Sequence, residues 1–116
     1  HRGATLYIDR AQIEQVLINL IKNAKESCGQ NTAPQIEVEL EQVPGKVCSL
    51  TVRDNGEGIL PEVIDKVFVP FFTTKPSGSG IGLSLCKQIM NLHGGTITVS
   101  SEIGKGSCFT LMFPGR

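Results

Sequence analysis

The sequence of 116 residues has no net charge, no long apolar run and no Walker A phosphate-binding pattern. Lysine plus arginine and aspartate plus glutamate each number 11, so no overall electrostatic field draws the chain to nucleic acid or to an anionic membrane. Its apolar runs are a few residues long, whereas a membrane-spanning helix needs about 20 apolar residues. No signal-peptide pattern precedes them. These absences predict a cytoplasmic protein, or the cytoplasmic portion of a membrane-bound one, that contacts neither nucleic acid nor the membrane directly.

The four cysteines show no CxxC pair and no histidine at a zinc-binding spacing. Cys28, Cys48, Cys86 and Cys108 are widely separated along the chain. We therefore predict four reduced, half-buried thiols, as is usual in a cytosolic protein, with disulfides as the alternative.

The length of the chain indicates a single domain over residues 1–116. Asp9 is suited to cap a helix over residues 11–27. The predicted elements are a strand at 5–8, that helix, strands at 35–42 and 47–54, a short helix within 61–68, a loop at 69–79, a helix at 80–92, and strands at 96–101 and 107–113. This order favours an α+β two-layer sandwich, with helices on one face of a largely antiparallel sheet, over a Rossmann unit.

Apolar periodicity predicts which face of each element is buried. The long helix carries one apolar stripe with offsets of three and four: Ile13, Val16, Leu17, Leu20, Ile21 and Ala24. The first long strand alternates Ile36, Val38 and Leu40 with glutamates, which predicts one solvated face. The later helix is predicted to present Ile81, Leu85, Ile89 and Leu92 on one face.

Asn19 and Asn23 are four residues apart on the long helix, so their side chains project along one line beside the apolar stripe. Glu26 extends this line. An amide oxygen is a hard, neutral ligand that suits Mg²⁺ held on a triphosphate. The alternative is the solvated flank of an amphipathic helix.

The segment 54–59, Asp-Asn-Gly-Glu-Gly-Ile, follows a predicted strand. Strand alternation puts Asp54 on the same face as Leu50 and Val52 and therefore predicts an inward-pointing carboxylate. Such a group is costly to bury without a donor, and the exocyclic amine of adenine is one. The two glycines allow a sharp turn and close approach of the backbone to a flat ring. A solvated aspartate in an Asn-Gly turn is the alternative.

Two further segments surround the predicted loop. Residues 78–83, Gly-Ser-Gly-Ile-Gly-Leu, enter a helix, and free amides at a helix N-terminus suit phosphate. No strand precedes them, so the dinucleotide-binding fingerprint is not met. Phe68, Phe71 and Phe72 anchor the base of the loop or contribute to a site. Lys75 is predicted either to contact a phosphate or to be a solvated lysine with no such role.

Taken in order, these four segments resemble the N, G1, F and G2 boxes of the histidine kinase ATP-binding domain. That domain belongs to the superfamily of gyrase, Hsp90 and MutL ATPases. The resemblance covers residues 9–114, with boxes at 19–24, 54–59, 69–75 and 78–83 and a tail, Gly-Lys-Gly-Ser-Cys-Phe, at 104–109. It implies the Bergerat-type form of the predicted sandwich, with a mixed, mostly antiparallel sheet.

The resemblance implies Mg²⁺ and ATP as cofactors and assigns each role by motif. Asn23 would coordinate the metal, and Asn19 would lie beside the phosphates. Asp54 would bind the adenine amine, partly through a water shared with Ser107, where the family more often has threonine. The segment 70–79 would be a short ATP lid. The other implied nucleotide-binding residues are Gly56, Gly58, Ile59, Thr73, Thr74, Lys75, Gly78, Ser79, Gly80, Ile81, Gly82 and Leu83.

The implied function is phosphoryl transfer from Mg-ATP to a histidine on a separate dimerisation domain, in two-component signal transduction. Related hydrolases keep a glutamate base at the position of Asn19, and an amide cannot activate water in this way. Neither His1 nor His93 resembles a phosphoacceptor. We therefore expect the upstream strand and the dimerisation and phosphoacceptor helices to be missing from a monomeric fragment, and a response regulator to act downstream. Some kinases have a basic residue where Glu26 stands, so a phosphate contact there is not carried over.

Two alternatives remain within this resemblance. One is a serine kinase of the same superfamily that acts on an anti-sigma-factor system. The other is an interaction module whose lid reports nucleotide binding to a partner. Phosphate transfer to a supplied helical hairpin separates a kinase from such a module.

Overall fold

The computed structural model describes residues 9–29, 32–43, 47–70, 72 and 82–114. In chain order the elements are α1 (Arg10–Ser27), β1 (Ile36–Val43), β2 (Val47–Asp54), α2 (Pro61–Ile64), α3 (Gly82–Leu92), β3 (Thr96–Glu102) and β4 (Gly106–Pro114). This order confirms the predicted α+β class. The predicted strand at 5–8, the turn at 44–45 and the loop residues 71 and 73–79 lie outside the described residues. No helix in the described ranges is long and apolar enough to cross a membrane.

Helix α1 begins and ends where its sequence predicts. The Asp9 Oδ1 atom accepts a hydrogen bond from the Gln12 N–H at 3.1 Å, which satisfies one of the unpaired amides of the first turn. Cys28 is the C-terminal cap residue. The buried side chains of the helix follow the predicted spacing and are Ile13, Val16, Leu20 and Ala24.

The four described strands form one sheet in the order β1-β2-β4-β3, and every pairing is antiparallel. A parallel strand, which a mixed sheet would include, is not among the strands described. The strand register aligns apolar side chains in rows across the inner face, beneath α1 and α3. One row contains Val52, Phe109 and Val99, and the next contains Leu50, Leu111 and Ile97. The alternate positions form a polar outer face.

His93 joins the end of α3 to the start of α1. Its Nε2 atom accepts a hydrogen bond from the Asp9 N–H at 2.9 Å, and its Nδ1 atom lies 2.8 Å from the Ile89 carbonyl oxygen. Since the carbonyl can only accept, the ring carries its proton on Nδ1. Both ring nitrogens are therefore engaged, and the contact fixes one end of the helical layer.

The predicted buried face of β1 was only partly right. Ile36 packs against the core, but Val38 and Leu40 are 52% and 61% exposed. Alternation along β1 is regular, so their exposure has a tertiary cause. Helix α1 lies mainly over β2 and reaches β1 little, which leaves this part of the inner face in contact with solvent.

The predicted buried face of α3 was only partly right, since Ile89 is buried as predicted. Leu85 and Leu92 are 38% and 72% exposed, and the buried residues are Cys86, Ile89 and Met90. Apolar side chains cover about half of this helix, so more than one stripe within that half satisfies a helical period. Contact with α1 selects the stripe that contains Cys86, whose thiol donates to the Val16 carbonyl oxygen at 3.7 Å. Ile81 lies outside the described residues.

Candidate nucleotide site

A row of polar side chains closes the inner face of the sheet at one end. Asp54, Ser107 and Ser101 are register partners on β2, β4 and β3, so their side chains share one face. Asp54 and Ser107 are each only 5% exposed, and they are the buried polar residues of the described core. The row therefore places a carboxylate and two hydroxyls where the preceding rows place valine, leucine and phenylalanine.

The loop after β2 orients the Asp54 carboxylate. Its Oδ1 atom accepts a hydrogen bond from the Gly56 N–H at 2.9 Å. Asn55 turns to the other side, where its side chain accepts from the Gln35 N–H at 2.8 Å and donates to the Ala33 carbonyl oxygen at 3.0 Å. The inward carboxylate predicted from strand alternation is thus confirmed, and the adjacent amide holds the segment before β1.

The glycines of this loop are required by the packing of the backbone. A Cβ atom on Gly56 would collide with Ser27 at the end of α1, and one on Gly58 would approach the Glu102 carbonyl oxygen. Gly58 also has a φ of +82°, which favours glycine. The Glu57 N–H donates to the Ser27 carbonyl oxygen at 3.2 Å. The loop is therefore held between α1 and the β3–β4 hairpin, and the role of Gly56 and Gly58 in a base pocket stays a prediction.

Ser101 connects this loop to the sheet and was missed by the sequence analysis. Its Oγ atom accepts a hydrogen bond from the Ile59 N–H at 2.7 Å, donates to the Gly106 carbonyl oxygen at 2.8 Å and lies 3.0 Å from Ser107 Oγ. The signal for Ser101 was available in the sequence. It follows Ile97 and Val99 at a spacing of two, so alternation puts its hydroxyl on the core-facing side.

Asn19 joins α1 to the start of α3. Its Nδ2 donates to the Gly82 carbonyl oxygen at 3.3 Å, and its Oδ1 accepts from Gln15 Nε2 at 3.0 Å. Leu83 packs against the core, and Asn23 lies half-buried one turn further along α1. The last two residues of the predicted G2 box thus adjoin the N box. The predicted contacts at Thr73, Thr74, Lys75, Gly78, Ser79, Gly80 and Ile81 lie outside the described residues.

Helix α1 sets the distance between the two ends of the candidate site. Gly82 contacts it at Asn19, and Gly56 contacts it at Ser27, eight residues later. At 1.5 Å of rise per residue, these points lie roughly 12 Å apart along the helix. Asn23 falls midway between them. The arrangement suits an elongated ligand that has a base at one end and an anionic group at the other.

Phe68 anchors the segment that leads into the predicted lid. Its ring meets Phe109 edge-on, with centroids 6.2 Å apart, and Lys87 Nζ lies 5.4 Å from its centroid. The first aromatic residue of the F segment thus belongs to the core margin, as the simpler interpretation expects. Phe72 is half-buried, and Phe71 lies outside the described residues.

Among the described residues, no three histidine, cysteine, aspartate or glutamate side chains converge on a point where a metal ion would sit. The donor set fits a Mg²⁺ ion that takes one amide oxygen from the protein and its other ligands from phosphate and water, which is common for this cation. Asn23 supplies that donor type.

Comparison with known proteins agrees with this geometry. Residues 8–116 match the model of the histidine kinase-, DNA gyrase B- and HSP90-like ATPase family. The chain is 41% identical to the sensor histidine kinase ZraS of Escherichia coli K12 over 106 residues, which is 91% of this chain and 22% of ZraS. It superposes on the catalytic domain of histidine kinase ThkA with a TM-score of 0.83 and 36% identity, covering 98% of this chain and 74% of that one. Full-length ShkA in complex with AMPPNP gives a TM-score of 0.83 at 26% identity, over 97% of this chain and 23% of ShkA. The chain therefore belongs to the histidine kinase-, DNA gyrase B- and HSP90-like ATPase family, as a catalytic ATPase domain of the histidine kinase type.

Proposed function

We propose that this domain binds Mg-ATP between α1 and the polar end of the sheet and positions the γ-phosphate for transfer to a histidine on a separate dimerisation domain. The observation that carries the proposal is the buried Asp54 carboxylate, held beside Ser107 at the end of an otherwise apolar face. The AMPPNP complex of the similar ShkA supports a nucleotide as the ligand.

The base would bind at the polar row. A carboxylate buried to this extent is costly to keep ionised unless it receives hydrogen bonds, and the Gly56 N–H supplies one of them. A carboxylate accepts several hydrogen bonds, so it has capacity for a ligand donor. The exocyclic amine of adenine is a neutral donor of the right kind. We therefore propose that Asp54 recognises adenine by accepting a hydrogen bond from this amine, with Ser107 beside it.

The phosphates would bind at the other end of the candidate site, beside the middle of α1. The N-terminus of α3 begins at Gly82, beside Asn19, and helix N-termini favour anions. Asn23 would hold Mg²⁺ through its amide oxygen. When bound, the ion neutralises charge on the phosphate oxygens and so lowers the barrier to phosphoryl transfer. The protein's own contribution is positioning, for which no side-chain nucleophile is needed.

The acceptor would be a histidine outside this chain. Both ring nitrogens of His93 are engaged in hydrogen bonds within the fold. At the position where related hydrolases keep a glutamate base, this chain has Asn19, an amide that does not activate water. Transfer to a positioned histidine is therefore favoured over hydrolysis. The chain spans about a fifth of the length of the sensor kinases that it matches, so their phosphoacceptor helices and a response regulator are its proposed partners.

Replacing Asp54 by asparagine tests base recognition. We expect Asp54→Asn to weaken ADP binding by about one to two orders of magnitude, because a hydrogen bond to a charged group contributes roughly 1.5–3 kcal/mol. Isothermal titration calorimetry gives the affinity, and circular dichroism shows whether the variant is folded. Asp65→Asn is the matched control, since Asp65 is an exposed carboxylate at the C-terminal end of α2 and not on a strand of the polar row. An unchanged ADP affinity in folded Asp54→Asn would refute the assignment.

A further inference from the structure

Ser101 lies at the β3 end of the polar row, and Asp54 lies at the β2 end, with Ser107 between them. The Ser101 hydroxyl contacts three polar atoms. Its Oγ atom lies 2.7 Å from the Ile59 nitrogen, 2.8 Å from the Gly106 carbonyl oxygen and 3.0 Å from Ser107 Oγ. One contact comes from the loop 55–60 after β2, here called the base loop, and two come from Gly106 and Ser107 of β4. Ser101 thus has as many partners as one hydroxyl group can serve with good geometry.

Counting protons fixes the direction of each bond. A hydroxyl has one proton to donate and two lone pairs that accept. The Gly106 carbonyl can only accept, so Ser101 donates its proton there. The Ile59 N–H fills one lone pair of Ser101. The bond between Ser101 and Ser107 must therefore use the remaining lone pair of Ser101 and the proton of Ser107.

This direction determines what Ser107 presents to a ligand. Because its only proton points at Ser101, Ser107 offers lone pairs alone on its other side. Asp54, its register partner on β2, is acceptor-only when ionised. Together the two side chains form a surface that accepts hydrogen bonds and donates none. A purine with an amine at position 6 has two N–H donors there, one for each of the two side chains. A 6-oxo purine has an acceptor at position 6 and only one neighbouring donor, N1–H, so at least one lone pair of the surface faces the oxo group.

We infer that Ser101 is a positioning residue for purine discrimination: by accepting the Ser107 proton, it makes the base site select 6-amino over 6-oxo purine nucleotides. The inference rests on the proposed nucleotide function and deepens it. Removing the Ser101 hydroxyl releases the Ser107 proton, which is then free to rotate toward an oxo group. If Ser101 merely supported the loop, removing its hydroxyl would weaken the binding of both kinds of nucleotide to the same extent.

The test compares ADP with IDP, the diphosphate of inosine, on the 116-residue chain by calorimetry. Wild type should prefer ADP, and Ser101→Ala should reduce the ratio of ADP to IDP affinity about tenfold, because unpaired polar groups dominate this kind of discrimination. Ser101→Thr keeps the hydroxyl and should therefore keep the wild-type ratio of ADP to IDP affinity. Ser100→Ala is the matched control, since Ser100 is the exposed neighbour on the opposite face of β3. If Ser101→Ala fails to fold, Ser101→Cys keeps the side-chain volume with a weak acceptor and should lower the ratio in the same direction.

A double-mutant cycle shows whether Ser101 acts through Ser107. Ser107→Ala should lower the ratio by itself, and adding Ser101→Ala should lower it no further. A folded Ser101→Ala or Ser101→Cys variant with the wild-type ratio would overturn the inference, as would an equal fall in the Ser107→Ala background. Either result, with ADP binding that still depends on Asp54, would leave the proposed function intact. Failure of wild type to bind ADP would refute the proposed function itself.

Discussion

Cys86 is a nucleophilic side chain that the fold keeps inactive. It is fully buried between α3 and α1, and burial raises the pKa of its thiol from 9.0 to about 11, against smaller lowering contributions from the Asn19 side chain and a backbone hydrogen bond. Desolvation disfavours the thiolate, which is the reactive form. Cys86 therefore contributes to packing rather than to chemistry at neutral pH, as predicted for the cysteines of this chain, all four of which are free.

The same pKa predicts an alkaline loss of stability. Because the thiol pKa is higher in the folded than in the unfolded chain, its contribution is fully present below pH 9 and is lost as the pH rises toward 11. The two-unit shift corresponds to about 2–3 kcal/mol. Urea unfolding at pH 8 and pH 10.5 should show a smaller alkaline loss in Cys86→Ala than in wild type. Comparing the loss of unfolding free energy between the two pH values removes the effect of the cavity created by alanine, because the cavity is present at both. It also removes the effect of lysine and tyrosine titration, because these groups are present in both proteins. Equal losses in the two proteins would contradict the prediction.

At the residue scale, strand alternation alone was enough to predict the position of Asp54. The carboxylate follows Leu50 and Val52 at a spacing of two and is buried as expected. Ser107 entered only through the family resemblance, and Ser101 was not predicted at all. Alternation with Ile97 and Val99 puts Ser101 on the core-facing side, but it does not show which side chains lie beside it. The three-strand register that brings both serines beside Asp54 is a long-range property, which no local pattern of residues contains.

At the scale of elements, α1 serves both the core and the candidate site. Its buried stripe holds it against the sheet, while Asn19, Asn23 and Ser27 lie along one flank toward α3 and the base loop. The sequence predicted this helix well because one apolar stripe and one cap agree. It was only partly right for the buried face of α3, where the apolar side chains cover about half of the helix and the partner helix selects which of them are buried.

Asn23→Ala tests whether this flank holds a metal ion. If Asn23 binds Mg²⁺ against the triphosphate, the variant should lose most of the gain in ATP affinity that Mg²⁺ gives to wild type. Alanine is the better helix former, by up to roughly 0.7 kcal/mol, which limits any loss of stability. Calorimetry with and without Mg²⁺ measures the gain. Gln12→Ala, which removes an exposed amide from the same helix, is the control. Equal Mg²⁺ dependence in wild type and Asn23→Ala would mean that the N-box assignment is wrong.

At the scale of the whole molecule, the order of elements was sufficient for the architecture. Two hairpins and two long helices leave few ways to bury all the apolar faces, and packing both helices on one side of one sheet is the simplest. The exposure of Val38 and Leu40 was not predictable in this way, because it depends on where α1 crosses the sheet. Local alternation determines which side chains share a face, but not whether another layer covers that face.

The proposed function predicts a chain that binds nucleotide without phosphorylating itself. The catalytic contribution is positioning, and His93 has both ring nitrogens engaged within the fold. Incubation with labelled ATP and Mg²⁺ should leave the chain unlabelled, whereas a supplied helical hairpin that bears the phosphoacceptor histidine should become labelled. Asp54→Asn should reduce that transfer in parallel with its loss of affinity. Stable phosphohistidine on this chain alone would contradict the prediction.

The alternation of β4 also has a practical consequence for spectroscopy. Cys108 follows Ser107 directly, so its side chain points to the outer face of the sheet, beside Arg53 and Ser100. It is partly exposed, whereas the other three thiols are buried. A thiol-reactive fluorophore should therefore attach at Cys108 in the native protein. The dye would lie one residue from the polar row but on the opposite side of the sheet, where it can report nucleotide binding without occupying the site.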